Sequence, residues 1–78
     1  MKKITTQEIK NFRDNWGQEE DTICAELGYE YGDDGVGEML MGDGYFWDDE
    51  TCLWFPTSSS MYNKREQEIA DHIRHYII

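Results

Sequence analysis

His72 and His75 stand three residues apart with Asp71 beside the first, so a helix would turn both imidazoles toward one side. The i, i+4 histidine pair of helical zinc sites is missing, and no third ligand is specified, so these read as surface histidines. Asp33-Asp34-Gly35 and Asp43-Gly44 have the composition of calcium loops but not their spacing. Counted from Asp33, the third position is Gly35 and the twelfth is Gly44, where such a loop needs oxygen ligands. A weak cation site among Asp48, Asp49 and Glu50 is the alternative that composition leaves open. Ser58-Ser59-Ser60 lacks the G-x-S-x-G setting of a nucleophile and suits helix capping instead. The glycines spell no phosphate-binding fingerprint, and the acids around them repel phosphate. We therefore expect no catalysis, no metal and no cofactor.

The elements that would position a site must come from 78 residues, enough for one small domain spanning 1–78. Net charge is −10, yet aromatic residues make up 14% of the chain, a load that can support a packed core. No apolar run approaches the ~20 residues of a membrane span, and Lys2-Lys3 leads into Ile4-Thr5-Thr6 rather than a signal sequence. A cytoplasmic location is the expectation. Cys24 and Cys52 are too few for a disulfide framework and read as two small buried hydrophobes, although pairing between them stays open.

Thr5-Thr6-Gln7-Glu8 is a capping box, with Ile4 and Ile9 at the staple positions. Ile9, Phe12 and Trp16 follow at helical spacing, and Gly17 is a natural stop. A second helix is expected over residues 18–27, with Ile23, Cys24 and Leu27 inward and Gly28 at its end. The glycine-rich middle argues against helix. It reads instead as short strands over 36–41, 45–47 and 51–55, joined by turns at Gly42-Asp43-Gly44 and Asp48-Asp49-Glu50. Residues 57–60 offer caps for a last helix over 61–77, with Tyr62, Ile69, Ile73 and Tyr76 on its apolar stripe. The fold class is α+β: helices at the N-terminus, a short antiparallel β-meander, and a C-terminal helix. The expected core is Ile9, Phe12, Trp16, Ile23, Leu27, Leu40, Phe46, Leu53, Ile69 and Ile73.

The position of the charge is more informative than its total. Every Lys and Arg lies near an end of the chain, and between Asp14 and Asn63 there is none. That window carries thirteen acids, whereas an ordinary solvated surface mixes both signs to relieve self-repulsion. Direct nucleic-acid binding and anionic membranes are disfavoured. A basic protein surface is favoured. A body ~30 Å across with this many carboxylates approaches the linear charge density of duplex DNA, one charge per ~1.7 Å. The candidate partner-binding residues are Glu19, Glu20, Asp21, Glu30, Asp33, Asp34, Asp43, Trp47, Asp48, Asp49 and Glu50. Tyr29, Tyr31, Tyr45 and Trp54 are further candidates for stacking.

In size and charge the chain is similar to small phage-encoded inhibitors of host DNA-handling or defence proteins, such as the anti-restriction, anti-CRISPR and uracil-glycosylase-inhibitor groups. The similarity is one of class, carried by no shared motif, and transfers no residue roles. It implies an acidic inhibitor that occludes the nucleic-acid-binding surface of a basic host protein. The alternative is a structural or accessory interaction module, a virion or assembly component, working through exposed aromatics. A homodimer is a further expectation, from the apolar end formed by Ile73, Tyr76, Ile77 and Ile78.

Overall fold

The computed structural model describes residues 3–76, with side chains described through residue 75. Thr5 opens α1 (Thr6–Trp16) with the capping box read from the sequence. The Glu8 N–H donates to the Thr5 hydroxyl at 3.1 Å, and the Thr5 N–H donates to the Glu8 carboxylate at 3.1 Å. α2 (Glu20–Leu27) ends at Gly28 in the left-handed conformation, φ +80°, which glycine adopts without a Cβ clash.

The next element corrects the sequence reading. Residues 36–41 do not form a strand; α3 (Val36–Gly42) is helical. A two-residue period would have put Glu38 on the same face as Val36 and Leu40. The helix instead buries Val36 and Leu40, one turn apart, and leaves Glu38 in solvent. Burial of the apolar pair without the acid outweighs the helix cost of Gly37 and Gly42 within the segment.

The sheet is therefore a single hairpin, β1 (Tyr45–Asp48) antiparallel to β2 (Leu53–Pro56). A third strand position is filled by one residue between α1 and α2. Gln18 exchanges both backbone hydrogen bonds with Trp54, at 2.9 and 2.8 Å. α4 (Lys64–Tyr76) begins later than expected, and its cap is not the serine run. Asn63 and Glu66 form a reciprocal box: the Glu66 N–H donates to Asn63 Oδ1 at 2.7 Å, and the Asn63 N–H to Glu66 Oε1 at 2.9 Å.

Strand alternation sorts the hairpin side chains onto two faces. Phe46, Asp48, Leu53 and Phe55 turn toward α1 and α4, where Phe12, Ile69, Ala70 and Ile73 complete one buried cluster. Tyr45, Trp47 and Trp54 turn the other way, where Ile23 of α2 and Leu40 of α3 form the second. Ring contacts continue across the strands, stacked for Phe46–Phe55 with centroids 5.5 Å apart and tilted for Trp47–Trp54 at 5.3 Å. The result is a three-layer α+β domain, α1/α4 over the hairpin over α2/α3.

Several core assignments change with this arrangement. Trp54, Phe55, Val36 and Ala70 are buried, while Leu27 is exposed at the end of α2. Ile9, Trp16 and Leu53 are only partly covered. Cys24 is buried as expected, but Cys52 is exposed, and the two are free thiols rather than a pair. Ile73 is buried and so cannot serve an exposed dimer surface. The Tyr76 side chain, Ile77 and Ile78 lie outside the described residues.

Candidate partner-binding face

Layering turns the charge distribution into geometry. Residues 19–44, which build α2, α3 and their connections, hold nine acids and no base: Glu19, Glu20, Asp21, Glu26, Glu30, Asp33, Asp34, Glu38 and Asp43. The rest of the chain holds eight acids and seven bases, nearly balanced. Almost the whole net charge of −10 therefore belongs to one layer.

Internal pairing sharpens the contrast. On the α1/α4 side, Arg65 spans Glu8 and Glu68, at 2.6 and 2.9 Å, and Lys10 meets Asp14 at 3.0 Å. Arg13 reaches under the hairpin turn to Asp48, at 2.8 Å, and to Glu50, at 2.9 Å. The Arg65 contact, with help from the Thr5 N–H, holds the Glu8 carboxyl down to about 2. By contrast Glu19, Glu26, Glu30, Asp33, Asp34 and Glu38 take part in no ion pair among the described residues. All six are exposed.

Two of the expected binding residues are thereby corrected. Asp48 is 0% exposed: besides Arg13, it accepts the Glu50 N–H at 3.1 Å and the Thr51 hydroxyl at 2.9 Å, so it organises the turn. Glu50 is exposed but shares Arg13 with Asp48, so it is partly engaged within the chain. Arg13 lies 35 residues from Asp48, which is why the absence of a nearby base misled the sequence reading. Asp49 and Asp43 are exposed and carry neutral donors: the Trp47 indole N–H reaches Asp49 at 2.6 Å, and the Tyr29 hydroxyl donates to Asp43. That second bond, with burial, pushes the Tyr29 phenol up. Trp54 is buried and cannot stack on a partner. Its indole N–H donates to Glu20 at 3.1 Å, tying α2 to β2.

Glu19, Glu20, Asp21 and Trp47 do come together. With Tyr31, Thr51, Cys52 and Leu53 they line a groove of about 390 Å³ between the start of α2 and the hairpin. A second hollow, of about 420 Å³, lies between α1 and α4 on Ile9 and Ile73, but its rim charges are the internal pairs Lys10–Asp14 and Arg13–Glu50. Glu26 and Glu38 belong to the unpaired acidic layer and were not singled out from sequence. The available signal was the lack of any base three or four residues away on their helices.

Among the described residues, no group of three or more His, Cys, Asp or Glu side chains is placed to hold a metal ion. No described helix is long and apolar enough to cross a membrane. No family model, curated protein or solved structure matches the chain.

Proposed function

We propose that this protein is a small acidic inhibitor that occupies the basic, nucleic-acid-binding surface of another protein, presenting its α2/α3 layer in place of a phosphate backbone. An anti-defence role of the anti-restriction or anti-CRISPR kind fits that chemistry. The observation that carries the reading is the unpaired acidic layer: nine acids and no base within residues 19–44, beside a nearly neutral remainder. Uncompensated like charge destabilises a compact state, so keeping it on one face is costly unless a cationic surface is met there. The long axis of the molecule is 40 Å, along which duplex DNA carries about 24 phosphates, about 12 of them on the one strand that a single face would imitate. Nine acids approach that count. The competing reading, an interaction module built on aromatics, loses support because Trp54 is buried and Tyr29, Tyr45 and Trp47 are half-buried against the second cluster, which leaves Tyr31 as the well-exposed ring among the candidates.

The test is competition. The immobilised protein is incubated with a nuclease-treated host lysate, and retained proteins are challenged with duplex DNA and, separately, with rising salt. A mimic's partner should be displaced by DNA and released steeply by salt. A partner that DNA does not displace would refute the proposal.

A further inference from the structure

The groove between the start of α2 and the hairpin has a composition more specific than acidity. Among the described residues, Glu19 and Asp21 stand at it without an ion pair, and no Lys or Arg lines it. One ring of its aromatic wall is anchored. Trp47 is held by its indole bond to Asp49 at 2.6 Å and by its tilted packing on Trp54, while Glu20 is held by the Trp54 indole. Tyr31 adds a second ring and is 64% exposed, the most exposed aromatic residue whose side chain is described.

We propose that this groove is a slot for one arginine side chain of the partner, an assignment that rests on the inhibitor reading above. Carboxylates exclude a phosphate or an acidic peptide, and the rings favour a flat cation. A guanidinium is planar and weakly hydrated, stacks on aromatic faces and forks onto carboxylates through paired N–H donors. A lysine ammonium is a compact, strongly hydrated point charge that gains less from the rings. Arginine is also the residue that basic surfaces use to hold phosphate by bidentate contacts, so the slot would engage a side chain already present at the site being blocked.

The experiment titrates the full-length ¹⁵N-labelled chain with capped hexa-arginine and hexa-lysine peptides at low salt. The arginine peptide should shift the Trp47 indole and the Glu19, Asp21 and Tyr31 amides together. It should bind at least about five-fold tighter than the lysine peptide. Tyr31→Ala and Glu19→Gln, both at exposed positions, should each reduce that preference without moving the unfolding midpoint. Equal binding of both peptides, with shifts spread over Asp33, Asp34 and Glu38 and a silent groove, would overturn the slot and leave the acidic layer standing. An arginine preference that survives both substitutions would also overturn it. Failure of both peptides to bind would overturn the slot and the acidic-layer reading together.

Discussion

Trp54 donates its indole N–H to Glu20 across the layers, and the two other tryptophans do the same to carboxylates: Trp16 to Glu66 at 2.8 Å, Trp47 to Asp49 at 2.6 Å. With seven bases for 17 acids, the chain anchors carboxylates with neutral donors that leave the negative charge in place. Replacing Trp54 by Phe keeps a ring in the core but removes a hydrogen bond to a charged acceptor. A loss of about 2 kcal/mol is expected in urea unfolding. Glu20→Gln, which retains an acceptor oxygen, should cost clearly less.

Arg13 and Asp48 form the internal ion pair that stabilises the hairpin turn. Removing Arg13 leaves Asp48, 0% exposed, without its counter-charge, at a cost of ~3–5 kcal/mol. Removing Asp48 takes away the acceptor of the Glu50 N–H and the Thr51 hydroxyl as well as the ion pair. Asp48→Ala and Arg13→Met should each lower the unfolding midpoint severely. The double variant should lose less than the sum, which a double-mutant cycle would measure.

Glu8 titrates at about 2 in the folded chain, against an ordinary 4.5. A depressed carboxyl stabilises the fold fully above about 4.5, and that contribution is lost as the pH falls through about 2. Glu66 is also lowered, first by the Asn63 N–H and then by the Trp16 indole, and acts with the same sign. Acidification simultaneously relieves the like-charge repulsion of the α2/α3 layer, which opposes the loss. The difference between parent and Glu8→Gln isolates the pair: their melting temperatures should differ most near neutral pH and converge toward pH 2.

Gly17 is required for close approach rather than for handedness. Its φ of −67° suits any residue, but a Cβ there would lie 2.6 Å from Leu53 Cδ1 and 2.8 Å from the Arg13 carbonyl oxygen. Gly17→Ala should therefore destabilise by ~1–3 kcal/mol through overpacking. Gly32→Ala meets open space and only the strain of φ +93°, about 1 kcal/mol or slightly more. Thermal unfolding of the two variants separates these causes.

Local signals were legible in the sequence wherever they were also decisive. The Thr5–Glu8 box and the Gly28 stop stand where composition put them; the two aromatic strands form with shifted bounds, since Asp48 joins β1 and Thr51 and Cys52 belong to the turn before β2. Residues 36–41 were misread because glycine content outweighed the i, i+4 relation of Val36 and Leu40. The Asn63–Glu66 box was hidden behind three serines that look like better caps. At the candidate face, exposure of Glu19, Asp33 and Asp34 followed from local polarity alone. Burial of Asp48 did not, since Arg13 reaches it only through the packing of α1 against the hairpin. Tyr31 and Trp47 share a groove with α2 because of tertiary layering, which no local pattern encodes.

Charge position can be separated from charge total by two variants of equal net charge. Asp33→Lys/Asp34→Lys changes the acidic layer, and Asp14→Lys/Asp71→Lys changes the α1/α4 side by the same amount. The measurement is the association rate and affinity of each for the DNA-displaceable partner across a salt series. The first variant should associate more slowly, bind more weakly by ~1–3 kcal/mol for each well-paired contact, and show a flatter salt dependence. The second should bind like the parent. Equal weakening of both, or of neither, would contradict an interface on the α2/α3 layer.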